Sequence, residues 1–530
     1  MCYRIVLAVL VAGALCGGLV AYTSAQANDL AFPGDENWDA NIGSLGLTRT
    51  VHALAFDQNF LYLGEGYGDG LKHIRRWNGE GWASIANNVD GSVQALVSYG
   101  NGNLYAGGYF TQTGTCNNCK RVAQWDGSSW SAMGNNLCGE VIALAQDSIG
   151  TLYAGGTFGV ATWNGTSWEL DSSITDWIYA LVVDQHDRLF TGGYAFSDSG
   201  DAFPSLRMKK ASTWFNLGIV FESNTPNGIS SLALYPSNVL TPTVGGSFDW
   251  PTSYLATWNG SWQSIGMPNN VVLALAADTC GGLYVGGAFG MISNQPNRFI
   301  AYYDGATWHP LGNTFATTSQ SVEVLSFYHG YLAVGGVFTQ TLGSQTHRNI
   351  ALWTGRDCAQ ISASDTYTFY AWREPVVIEI GAKGTLAQIR VQRFNKDHPA
   401  ADDTTTPNLK NGVYWQIEGL DAEGQPASGI SYTLTLPAVG FIPDANDKIC
   451  HYNSSVSAWD CAASSYDLNN KTITRSGLTS FSDFTVANDV GPTVVSLQSL
   501  RTQQPHLPLL AFVLALLSAV GLVRLCRKKP

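Results

Sequence analysis

The sequence predicts an all-β protein: a seven-bladed β-propeller, then a β-sandwich, then a C-terminal transmembrane helix. Three observations predict it. A glycine pair recurs at Gly107, Gly155, Gly192, Gly245, Gly286 and Gly335, every 37 to 53 residues, and a period of about 40–50 residues is that of propeller blades. Each recurrence lies in the same order of four short alternating segments. After about residue 360 the pairs stop and a different set of alternating segments begins.

Composition sets the outer limits. Charged residues are only 13% of the chain while hydrophobic ones reach 45%, so the chain buries a large core and is not disordered. The formal net charge of −12 repels phosphate backbones and excludes nucleic acid as a partner.

The N-terminus carries one positive charge, Arg4, before an apolar run from Ile5 to Ala21. Small residues follow at Ala25–Ala27. This pattern predicts a secretory signal peptide over 1–27. Gly13 and Leu15 argue against lipidation at Cys16.

The second copy shows how a blade is spelled. "VQALVSY" (93–99) and "LYAGGYFT" (104–111) are the first two strands. "RVAQW" (121–125), the turn "DG" and "SWSAMG" (129–134) form the outer hairpin. That hairpin returns as "WNGEGW" from Trp77, "WNGTSW" from Trp163, "WNGSW" from Trp258 and "YDGATW" from Tyr303. A degenerate first copy, "LYLGEGYGDG", begins at Leu61, and the fourth copy keeps only Trp214 of its hairpin. The seventh ends at "IALWTGRDCA" with no outer strand. The missing strand stands at the other end of the chain, in "ENWDANIG" around Trp38. The N-terminal strand is therefore expected to complete the last blade and close the ring over 36–358, which removes exposed sheet edges. Residues present in every blade, the tryptophan pairs included, read as scaffold.

These repeats resemble exported bacterial propeller proteins whose blades read "lyaGG.Ft....iA.WdGs.W..lG". They are also similar to propellers of the kelch and galactose-oxidase type and to the fungal cortical marker Rax2. The resemblance covers about Trp38 to Cys358 and implies the fold. The ligands of a copper-radical site do not map onto this sequence, so none is carried over.

Over 361–488 come "DTYTFYAW", "PVVIEIG", "LAQIRVQRF", "GVYWQIEGL" and "SYTLTLP". Their alternation and length predict a β-sandwich. "ITRSGLTSFSDFTVAND" (473–489) resembles the end of choice-of-anchor β-domains of bacterial surface proteins, which implies a stalk. A linker (489–506) leads to an apolar run (507–523) and a basic tail (524–530). The order predicts a single-pass anchor at the cell membrane, with an extracellular body and a cytoplasmic tail, and fits equally a C-terminal sorting signal that is later cleaved.

Ten cysteines are present. Removal of the signal and the tail position of Cys526 leave seven outside, so at least one thiol stays unpaired. Cys450 and Cys461 flank a hairpin and are a candidate disulfide. Cys116, Cys119 and Cys138 are candidates for a loop disulfide, either within "CNNC" or from one of that pair to Cys138. No catalytic, cofactor or metal motif appears: there is no HExxH, nucleophile elbow or P-loop. Asp57, Asp147, Asp184 and Asp278 recur in the turn after the first strand, where capping is expected and calcium is the alternative.

The longer, varied segments lie between second and third strands, at 112–119, 197–208, 291–297 and 340–347. They share one face of the ring, which is the candidate binding face. The reading is a non-catalytic recognition or adhesion scaffold for an extracellular protein or glycan. The alternatives are a lyase or hydrolase acting on polysaccharide, or a structural envelope component.

Overall fold

A computed structural model of the chain describes residues 37–488, apart from gaps of which the longer are 67–71, 114–119, 197–201, 218–227, 236–240 and 401–408. The signal segment, the C-terminal apolar run, Cys116 and Cys119 lie outside the described residues. Among the described residues no helix is long and apolar enough to cross a membrane.

Seven antiparallel sheets follow one another along the chain. The first runs Val51–Phe56, Leu61–Glu65, Lys72–Trp77 and Trp82–Val89 in simple meander order. The first strand of each sheet packs on the first strand of the next. The seventh sheet's first strand, Ser321–Tyr328, packs back on Val51–Phe56. The arrangement is that of a β-propeller.

The glycine pair has a physical cause at each of its two positions. A Cβ on Gly107 would lie 2.7 Å from Val141 Cγ1 in the next sheet, and one on Gly335 would lie 2.7 Å from Val51 Cγ1 across the ring closure. A Cβ on Gly108 would lie 2.0 Å from the Ser92 carbonyl of its own sheet. The first glycine thus admits a β-branched residue from the neighbouring sheet, and the second admits a carbonyl of its own first strand. Gly107→Ala overpacks a closed contact and is expected to lower unfolding free energy by about 1–3 kcal/mol in chemical denaturation.

The tryptophans repeat for a second reason. In the outer hairpins Trp125 and Trp130 meet at 5.5 Å, and Trp163 and Trp168 at 5.4 Å. The outer-strand indole then reaches the sheet before it: Trp130 Nε1 donates to the Ile85 carbonyl, Trp168 Nε1 to Met133, and Trp308 Nε1 to Ile265. The seventh sheet has only three strands, Ser321–Tyr328, Tyr331–Leu342 and Gln345–Thr354. Trp38 takes the vacant place. It bridges Trp353 antiparallel, its ring lies 4.9 Å from that of Trp353, and its Nε1 donates to the Leu311 carbonyl at 2.8 Å. Trp82 of the first sheet donates in turn to Ile42 of this N-terminal segment at 2.7 Å. The segment therefore follows the bonding rule of the outer strands that carry Trp82, Trp130, Trp168 and Trp308.

The turn aspartates act as caps. Asp57 Oδ1 accepts the Asn59 and Phe60 amides, and its Oδ2 accepts the Tyr62 hydroxyl. Asp147 and Asp278 accept Tyr153 and Tyr302 in the same way. Burial, and then the nearby carboxylate, raises these tyrosines. Tyr153 is pushed up to about 12, as is Tyr235 by burial and then Tyr303, while Tyr62 and Tyr302 are raised further. A raised folded pKa means the stabilisation is whole below the unfolded value of about 10 and is lost as pH climbs through the folded values. Stability is expected to fall from about pH 10 upward, tracking delayed tyrosinate absorbance in an alkaline titration.

Beyond Gly355 two further sheets face each other. One has six strands, beginning with Arg356–Gln360 and Gln388–Phe394; the other has five, beginning with Thr366–Ala371 and Glu374–Ala382. Alternating residues such as Phe369, Ile378, Trp415, Leu434 and Phe484 share one core between them. Cys358, at the ring's end by sequence, lies on the first strand of this second pair. It is bonded to Cys280 of the sixth ring sheet. Asp357, buried beside it, accepts Thr279 Oγ1 at 3.2 Å and the Tyr370 amide at 3.1 Å, and faces His329 Nδ1 at 3.3 Å. Thr279 and His329 belong to turns between first and second strands, so the second pair of sheets is fixed to the turn face of the ring.

Candidate functional site

Attachment at the turn face leaves the opposite face, where first strands begin and second strands end. All seven sheets carry an irregularity there. The pairing of first and second strands skips one residue: His52, Gln94, Ile142, Tyr179, Ser230, Leu273 and Glu323. The preceding residue is always Val or Ile and is buried. The skipped residue is always half-buried. A β-bulge re-aims a side chain and ends regular pairing. Because the first strands form the inner ring, the seven bulges surround its axis at one end. The backbone is the same in each sheet while the side chain differs in chemistry, which suits a rigid scaffold carrying a variable surface.

Two of the bulge residues meet across the ring closure: His52 Nε2 lies 3.1 Å from Glu323 Oε2. Burial lowers the His52 pKa, against the opposing pull of Glu323 and then Glu140. A histidine NMR titration is expected to place its midpoint below that of an exposed histidine.

Around the bulges stand larger groups. Trp177, Tyr179, Tyr194 and Phe196 form one aromatic cluster in the fourth sheet, with centroids 5.2 to 5.5 Å apart between neighbours. The Arg121 guanidinium covers the Tyr109 ring at 4.2 Å. Tyr109, Phe196, Met267, Met291 and Val337 are the exposed large hydrophobics of this face, spread over the second, fourth, sixth and seventh sheets. In the first sheet Glu65 replaces the second glycine of the pair. It is buried, with Arg49 at 3.3 Å, His73 at 3.1 Å and Arg75 at 3.6 Å. That cluster explains why the first copy of the repeat is degenerate.

The predicted loops need correction in part. Residues 202–208 are not loop: Ala202–Lys210 pairs with Leu189–Phe196 along its length. Residues 340–342 and 345–347 likewise extend a hairpin beyond the sheet. Pro204 in the first and the polar run in the second read as loop, although Ser205, Leu206, Gln340 and His347 are buried. Met291–Ile292 and Gln295–Pro296 make a small hairpin of their own. Asn269 anchors it, with Oδ1 accepting the Gly290 and Met291 amides. Asp90 plays that part in the second sheet, accepting from Thr111 and Gln112.

Cys450 and Cys461 are cross-strand neighbours and form a disulfide. Cys138 is exposed and free, so the alternative pairing of the "CNNC" segment with Cys138 is not made. The Cys280–Cys358 bond was not read from the sequence, which gave no sign that residues 78 apart would meet across two bodies. The bulge ring was missed as well, because a bulge is a backbone event with no residue signature of its own. Its one signal is the varied position after each conserved-looking Val or Ile.

No family description matches the chain, and no curated protein matches it. Solved structures do. The extracellular domain of BT4673 from B. thetaiotaomicron is 15% identical with TM-score 0.44, over 80% of this chain and 53% of that one, so the chain spans about half its length. YCF48 bound to D1 peptide is 13% identical with TM-score 0.41, over 62% of this chain and 97% of that one. PorZ, a bacterial surface component of the type-IX secretion system of Porphyromonas gingivalis, is 12% identical with TM-score 0.38, over 78% of this chain and 59% of that one.

Proposed function

We propose that this protein is a non-catalytic recognition or adhesion scaffold on a bacterial surface. In this reading a seven-bladed propeller, completed by its N-terminal strand, is held by a β-sandwich stalk and a C-terminal membrane anchor. It binds an extracellular protein or glycan on the bulge-bearing face. One observation carries the reading: the second pair of sheets is bonded to the turn face, which directs the bulge ring and the aromatic cluster away from the attachment. The signal segment and the disulfides support export, since disulfides persist in oxidising compartments. Aromatic side chains displayed on a rigid surface are the usual anchors of recognition.

The test is a glycan-array and thermal-shift screen of the exported body, residues 28–488, with and without calcium. A ligand that raises the melting temperature without being consumed supports the reading. Turnover of a polysaccharide overturns it in favour of the enzyme.

A further inference from the structure

A cavity of about 310 Å³ lies on the turn face, where the sixth and seventh ring sheets, the closing N-terminal segment and the second pair of sheets meet. It is separate from the bulge-bearing face. Its size is at the small end of ligand pockets and suits one monosaccharide.

The lining is chemically divided. The second pair of sheets supplies cations. Arg356 is the register partner of Gln392, and Cys358 of Arg390. Side chains two apart on a strand share a face, so both guanidiniums lie on the side that meets the ring. Arg356 is exposed and makes no ion pair among the described residues. Arg390 gives its Nε to Gln388 and lies 3.9 Å from Glu418, a loose contact. In a chain of net charge −12, two neighbouring arginines that share only one ion pair among the described residues, at 3.9 Å, are a local exception.

The ring supplies aromatic and hydroxyl-binding groups. Tyr284, Tyr302 and Trp353 form the wall. His309 Nε2 lies 2.7 Å from Asp304 Oδ2 at the edge. Asn37, from the closing segment, adds a buried Oδ1 that has no hydrogen-bond partner among the described residues. A buried acceptor left unsatisfied calls for a donor. Guanidiniums recognise a carboxylate, aromatic rings pack against the apolar face of a sugar, and Asn37 accepts a hydroxyl.

We infer that this inter-sheet cavity is a second binding site, and that it takes an acidic monosaccharide of the uronic-acid class. Its carboxylate pairs with Arg356 and Arg390, its ring lies on the tyrosine wall, and one hydroxyl donates to Asn37 Oδ1. No bond is made or broken.

Calorimetry on the full chain tests this, with glucuronate, glucose and inorganic phosphate as probes. Glucuronate is expected to bind saturably at one site, glucose and phosphate far more weakly. Arg356→Gln, at an exposed position, is expected to weaken glucuronate binding about tenfold or more, since it removes a charge-assisted pair. Asn37→Leu is expected to weaken it while leaving the melting temperature equal or higher. Phe196→Ser, on the opposite face, is expected to leave it unchanged, so the site stands or falls apart from the recognition face. The inference is overturned by no glucuronate binding at millimolar concentration, by equal binding of glucose or phosphate, or by an Arg356→Gln variant that binds as the parent does.

Discussion

Trp38→Ala is expected to open the ring. Trp38 is buried and holds the closing segment by three contacts, with a fourth from Asp39. It packs edge-on against Phe315 at 5.3 Å and Trp353 at 4.9 Å, donates to the Leu311 carbonyl, and is followed by the Asp39 amide donating to Leu352 at 2.8 Å. Truncating a buried tryptophan costs about 3–5 kcal/mol. The same substitution at Trp82, whose partner is the far end of the segment, acts on the same closure. Urea denaturation should show the loss at Trp38 as a lowered midpoint. Because the seventh sheet then presents the edge of Gln345–Thr354, the variant should also self-associate, read by light scattering. A midpoint unchanged from the parent would mean that the N-terminal segment is decoration and the ring is closed without it.

The second large effect belongs to Cys280–Cys358. The bond spans 78 residues, and closing a loop of that length restricts the unfolded chain by about 4 kcal/mol. Cys450–Cys461 spans only 11 residues and is expected to contribute about 3 kcal/mol or less. Cys280→Ser with Cys358→Ser should therefore lower unfolding free energy more than Cys450→Ser with Cys461→Ser. The two should differ in kind as well. The long-range bond joins the ring to the second pair of sheets. Its removal should separate one thermal transition into two in calorimetry, with Asp357 and its partners Thr279 and His329 left as the remaining tie.

Much of the ring was legible because its repeats are physical necessities. The first glycine of each pair exists for a β-branched neighbour, so it recurs wherever one sheet meets the next. The outer tryptophan recurs because its indole bonds the sheet before it. Closure could be inferred from one missing strand and one surplus strand, and Trp38 obeys the bonding of Trp130 and Trp168. The bulge-bearing face was less legible for the converse reason. Its residues vary from sheet to sheet, so no periodicity marks His52, Tyr179 or Glu323, and only their shared backbone bulge joins them. The loop reading pointed to the bulge-bearing face but took the strand Ala202–Lys210 for irregular chain. Contacts between the ring and the second sheets, including the cavity beside Asn37, depend on tertiary placement that no local pattern encodes.

If the bulge-bearing face is the recognition face, changes there abolish binding and changes on the turn face do not. The most direct measurement compares two surface variants against the parent on a glycan array and in capture from envelope extracts. One carries Tyr109→Ser with Phe196→Ser on the bulge-bearing face. The other carries Ile149→Ser, the most exposed large hydrophobic among the described residues, which stands on the turn face. Truncating anchors in a recognition surface weakens binding about tenfold or more. The first variant is expected to lose the parent's ligand while keeping its melting temperature, and the second to keep both. Binding that survives Tyr109→Ser with Phe196→Ser, or that is lost only with Ile149→Ser, would contradict that expectation.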